Sequence, residues 1–207
     1  EWTVDLSLDG PSRVEVRLAP RGDYAVSVRQ SFEVEGQRKT QIENAYGRRF
    51  SGARVIAESF SDLGDLSQPV SLLAELEVPR ITSPSAAGPS LAIPDDLFRT
   101  GESLGGLLGL EERDFDVILG NPRRSRLRVV YRLPEGVTVR SLPEERDIEA
   151  RFGRFTLRFA NEGRELVVER TIEIASPRVS VDDWPALREL ISSIERLEEE
   201  RIVLSRG

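Results

Sequence analysis

Residues 154–159 alternate without a break. Phe155, Leu157 and Phe159 fall on one side of an extended chain, and Arg154, Thr156 and Arg158 on the other. A period of two fits a strand with one buried and one wet face. The same pattern recurs over residues 2–8, 14–18, 24–34, 127–133, 137–140, 147–152 and 165–174. Turn chemistry separates the runs, at Asp9-Gly10-Pro11, residues 20–23, Pro134-Glu135-Gly136, Gly153 and Asn161-Glu162-Gly163. Short strands joined by tight turns predict antiparallel meanders with one wet face. The expected fold is therefore mainly β, with antiparallel β-sandwich-like sheets.

Helix enters in two places. Between residues 37 and 60, Ile42, Ala45, Tyr46, Phe50, Val55, Ile56 and Phe60 recur every three or four positions. That spacing predicts one or two short helices, interrupted near Ser51-Gly52. Near the end, Asp182-Asp183 precede Trp184-Pro185, an acidic cap followed by a proline in the first turn. Leu187, Leu190, Ile191, Ile194 and Leu197 then form one apolar stripe. The expectation is a C-terminal amphipathic α-helix covering a sheet, followed by a strand over 202–204. Residues 79–109 carry much of the proline, glycine and serine. The pattern divides the chain into an N-terminal β-meander with short helices (1–80), a loop-rich connector (81–125) and a C-terminal β-meander plus helix (126–207). One continuous domain fits the pattern as well.

Of the 207 residues, 39% are hydrophobic, enough for a packed core. There is no cysteine, histidine or methionine. A thiol nucleophile, a thiolate zinc site, a Ser-His-Asp triad and a histidine-ligated metal are thereby excluded. Lys39 is the only lysine, so arginine supplies 28 of the 29 basic residues and lysine-based covalent chemistry is disfavoured. No catalytic residue, cofactor or metal ligand is assigned. A net charge of −7 argues against nucleic acid and against anionic membrane surfaces as partners. No apolar run approaches the roughly 18 residues of a membrane span. The chain opens at Glu1, already alternating, which reads as a mature or excised portion of something longer with any targeting signal upstream.

Four patterns invite function. Gly101-Glu102-Ser103-Leu104-Gly105 has the spacing of a nucleophile elbow, but that motif needs a histidine base. Carboxylate pairs occur at Asp62 with Asp65, Asp95-Asp96, Glu111-Glu112, Asp114 with Asp116, and Asp182-Asp183; turn and helix caps are the expectation for Asp95-Asp96 and Asp182-Asp183. Trp2, Tyr24, Tyr46, Tyr131 and Trp184 would offer a sugar-stacking platform if they lay exposed in a row; core packing is the default. Arg123, Arg124 and Arg126 form a small basic cluster after Asn121-Pro122. Together with Trp184 they make the candidate interaction surface.

The order of motifs in the second half resembles a known family. Leu133-Pro134-Glu135-Gly136-Val137 leads to Leu142-Pro143, then to the hairpin Phe152-Gly153-Arg154-Phe155. Gly163, Leu166 and Arg170 follow, then Pro177, Trp184, the amphipathic helix and a closing strand at 201–204. The arrangement is similar to the C-terminal, non-catalytic β-rich region of bacterial transglutaminase-like multidomain proteins of the DUF3857/DUF3858 type. Strands around Asp9-Gly10, Gly22 with residues 24–34, and Leu91 to Pro94 fit more loosely. The resemblance implies a β-rich tail behind a catalytic domain on the same polypeptide, in a periplasmic or cell-surface setting. With no cysteine or histidine, no catalytic residue of that family carries over.

Three functional expectations follow. The first is an accessory module that positions the upstream catalytic domain or holds a protein or glycan partner. The second is a stand-alone carbohydrate- or protein-binding β-module of the cell envelope. The third, a carboxylate-based enzyme, requires two acids in one cleft, one with a raised pKa.

Overall fold

The computed structural model describes residues 1–47, 49–95, 106–109 and 111–207. The chain is mainly β, with antiparallel sheets and a C-terminal helix. Its contacts divide it into two compact units. The first holds Glu1–Ser83 and Val130–Glu135, the second Pro84–Val129 and Gly136–Gly207.

The first unit contains β1 (Trp2–Asp5), β2 (Ser12–Leu18), α1 (Asp23–Ser31), α2 (Arg38–Gly47), β3 (Arg54–Phe60) and β4 (Leu72–Val78). Its strands lie in the order β1-β2-β4-β3, each antiparallel to its neighbour. The alternation works as expected in β1 and β2, and β4 also alternates. Val4, Val14, Val16, Ala74, Leu76 and Val78 are buried, while Asp5, Arg13 and Arg17 face outward. Each large aliphatic side chain removed from water contributes about 1.5–3 kcal/mol before entropy is counted.

Two elements depart from the pattern. Residues 24–34, the longest alternating run, are not a strand: α1 spans Asp23–Ser31. Tyr24, Val28 and Phe32 are spaced by four, which suits one face of a helix as well as one face of a strand. Val28 forms a core with Leu63 and Val70, against which Tyr24, Ala25 and Phe32 pack, while Val26, which a strand would have buried, stays 53% exposed. Gly22 opens the helix at φ 58°, a left-handed conformation that the Arg21-Gly22-Asp23 turn owes to its glycine. The second departure is β3, where spacing predicted helix. A bulge between Val55 and Ala57 turns Ile56 outward, 48% exposed. The bulge breaks the period of two and leaves a false helical spacing.

The second unit contains β5 (Ser83–Ser85), β6 (Gly88–Ala92), β7 (Val117–Ile118), β8 (Arg123–Arg132), β9 (Val137–Ser141), β10 (Arg146–Ala150), β11 (Gly153–Glu162), β12 (Glu165–Ile174), β13 (Arg178–Val179), α3 (Trp184–Glu199) and β14 (Arg201–Arg206). β5 begins one residue before the unit, and β8 runs on into the first unit from Val130. One sheet has the order β10-β11-β12-β8, a second β5-β6-β14-β9, and β7 pairs with β13. The connector thus contains strands, and β14 closes the second sheet between β6 and β9.

The α3 stripe of Leu187, Leu190, Ile191, Ile194 and Leu197 is fully buried, and the helix lies beside β10. Asp182-Asp183 do not cap it as expected. Ser180 Oγ instead accepts the Asp183 amide at 3.3 Å, and the Asp183 carboxylate takes the Ser180 hydroxyl at 2.7 Å and the Arg151 guanidinium. Gly153 opens β11 where a Cβ would run into the Glu173 carbonyl of β12, so only glycine fits without moving the ladder.

Candidate functional site

The arginine cluster lies on β8, next to β12. Residues 124, 126 and 128 share one face of β8 because strand side chains alternate. Their partners are the outward glutamates of β12. Arg124 Nε lies 3.9 Å from Glu173, while Arg126 Nη2 and Arg128 Nε both lie 3.4 Å from Glu169. Arg123 points elsewhere and donates to the Leu119 carbonyl at 2.6 Å.

The charged pattern continues across the sheet. In the β11–β12 register Arg154 stands opposite Glu173 and Arg158 opposite Glu169. On the far side Arg154 makes a two-pronged bond to Asp147, Nε at 2.9 Å and Nη2 at 2.8 Å. Arg158 reaches Asp147 at 2.8 Å and Glu145 at 3.4 Å. Glu145 also accepts the Phe159 amide at 2.9 Å. Two rows of alternating sign therefore cross the four strands. One runs Glu149, Arg154, Glu173, Arg124, and the other starts at Glu145, one residue before β10, and runs Arg158, Glu169, Arg128. With Asp147 and Arg126, these rows hold five carboxylates and five guanidinium groups. The Phe159 amide and Arg158 hold Glu145 below the usual carboxylate range, and Arg154 does the same for Asp147. In turn Asp147 raises Arg154.

Trp184 does not join this surface. It is 3% exposed, the first residue of α3 and in phase with its buried stripe. Its indole N–H donates to the Glu111 carbonyl at 3.1 Å, and the Arg113 guanidinium lies 4.4 Å from its ring centroid. Trp2, Tyr46 and Tyr131 are buried too, Trp2 edge-on to Tyr46 at 5.9 Å, and Tyr24 is half-buried. Burial raises the Tyr46 hydroxyl and pushes that of Tyr131 up to about 12. No exposed aromatic row is formed by these residues.

Several of the paired acids are used as local braces, and Asp96 lies outside the described residues. Asp62 Oδ1 accepts the Gly64 and Asp65 amides at 2.8 and 3.3 Å, and Asp65 takes both the amide and the hydroxyl of Ser67. Asp116 binds Arg178 Nε at 2.5 Å and the Val181 amide at 3.1 Å. Asp95, expected as a cap, is 8% exposed and paired with Arg170 of β12, itself 3% exposed. The Arg170 guanidinium also lies 5.8 Å from the Phe155 ring. Sequence reasoning passed over this pair, though a signal was present. Arg170 shares its face of β12 with Leu166, Val168, Ile172 and Ile174, and a charge at an inward position needs a buried partner. Among the described residues, the carboxylates whose pKa is displaced, Asp65, Glu145, Asp147 and Asp183, all move down, the direction of an acceptor of hydrogen bonds and not of a general acid. Among the described residues no group of three or more acids could hold a metal ion, and no helix is long and apolar enough to cross a membrane. The Gly101-to-Gly105 motif lies outside the described residues.

Residues 95–204 match DUF3858, described as a "domain of unknown function with solved-structure structure". The chain belongs to the DUF3858 family. Most of the second unit falls inside the match, including the charged rows, the Asp95–Arg170 pair and α3. A comparison with curated proteins finds no match. A crystal structure from Parabacteroides distasonis ATCC 8503, described as that of a candidate protease, aligns with 21% identity and a TM-score of 0.46. The alignment covers 56% of this chain and 22% of that one, so this chain spans about a fifth of that protein's length.

Proposed function

We propose that this chain is a non-catalytic accessory module of a transglutaminase-like exported bacterial protein. On this reading it serves a catalytic domain on the same polypeptide, in the periplasm or at the cell surface. The observation that carries the reading is membership of DUF3858, joined to a composition without the cysteine and histidine that such a catalytic domain requires. The downward displacement of Glu145, Asp147 and Asp183 supports it, since these acids serve as structural acceptors.

The part assigned to partner contact is the outer face of β10, β11, β12 and β8, with Arg124 and Arg126 at its β8 edge. Opposite charges ordered in rows favour orientation and selectivity over raw affinity. The burial of Trp2, Tyr131 and Trp184 weakens the alternative of a sugar-stacking module and leaves a protein surface as the favoured partner. The purified chain tests the non-catalytic role directly. Incubated with a glutamine-containing peptide and a primary amine, it should release no ammonia and form no amide-exchanged product. Turnover by this cysteine-free chain would overturn the proposal.

A further inference from the structure

The first unit carries an open groove of about 500 Å³, lined by α1, the start of α2, the end of β3 and the loop after it. That size lies within the range of small-ligand clefts. Two arginines line it and differ sharply. Arg29 is consumed by the loop: its Nη1 donates to the carbonyls of Leu63 at 2.5 Å and Asp62 at 3.3 Å, and its Nη2 to that of Gln68 at 2.6 Å. Arg38 is presented instead. Its Nε is fixed by the Phe32 carbonyl at 2.8 Å, and its guanidinium lies 4.8 Å from the Phe60 ring centroid. Its two terminal amino groups have no acceptor among the described residues.

A guanidinium held by its Nε and by an aromatic ring keeps a two-pronged donor edge in fixed orientation. That edge matches a carboxylate. Glu33 lines the same groove, also without an ion-pair partner among the described residues, and so does Asp62. The four ionised side chains balance, and the whole chain is acidic. A doubly charged anion would therefore meet repulsion, whereas a carboxylate accompanied by a cationic group would not.

We propose that this groove binds a short peptide or amino acid, its carboxylate on Arg38 beside Phe60 and its ammonium toward Glu33. The site lies outside the DUF3858 match and goes beyond the accessory role, so either can fail without the other. The test is an NMR titration of the ¹⁵N-labelled chain with triglycine, triglycinamide, N-acetyl-triglycine and inorganic phosphate. Triglycine should shift amides within residues 29–38 and 60–64 saturably. Loss of the charged pair costs about tenfold or more in affinity, both in triglycinamide and in Arg38→Gln. Arg38→Lys, which keeps the charge without the fork, should fall between. Glu33→Gln should weaken triglycine and leave N-acetyl-triglycine unchanged. Unaltered amide positions away from the groove certify that each variant is folded. Equal binding of triglycine and its amide, or of phosphate and triglycine, would overturn the assignment. So would full binding by a folded Arg38→Gln variant, or no saturable shift up to about 20 mM, where a millimolar site would fill.

Discussion

At the scale of single residues, the least replaceable polar contact described is Asp95 with Arg170. Both side chains are nearly out of water, and Arg170 sits on the core face of β12. Such a pair need not stabilise the fold more than two apolar residues would. Breaking a buried pair by removing one partner is nonetheless costlier than replacing both with apolar residues. Asp95→Asn should lower unfolding stability by about 3–5 kcal/mol, and a variant carrying both Asp95→Leu and Arg170→Met should recover much of that loss. Urea denaturation of the two variants checks this, and equal losses in both would contradict the buried-pair account. The exposed pair Arg132–Asp5, at 3.2 Å, is by contrast worth at most about 1 kcal/mol.

At the scale of elements, the charged face links four strands through groups whose protonation matters. Glu145 and Asp147 have folded-state pKa values below their unfolded ones, by the Phe159 amide and Arg158 for the first and by Arg154 for the second. Their contribution is therefore present above the unfolded pKa, about 4, and is lost as pH falls through the lower folded value. The urea midpoint of the chain should drop on acidification below about pH 4, and Glu145→Gln with Asp147→Asn should flatten that drop. An unchanged acid limb in the double variant would show that these bonds do not persist in solution. Legibility in the sequence also varies by element. The hairpin of β11 and β12 and the stripe of α3 could be read directly, because each obeys one period over many residues. For α1, a spacing of four satisfies both periods, and the choice came from packing against Leu63 and Val70. In β3 the bulge at Ile56 erased the strand signal. Arg124 and Arg126 were visible as a cluster, but Glu169 and Glu173 lie some 45 residues away in sequence, and only the strand order brings them together.

At the scale of the whole molecule, two compact units carry different material. The second, mostly within the DUF3858 match, presents an outer sheet face of paired charges and a fully buried helix stripe. The first presents an open groove with Arg38 set against Phe60. Neither unit contains a cysteine or a histidine. An accessory role for such a chain predicts that the chemistry is encoded beside it. The most direct measurement is the complete reading frame around residues 1–207. The accessory role predicts an export signal and, between it and this segment, a transglutaminase-like domain with its cysteine, histidine and aspartate. A frame that encodes no such domain would contradict it.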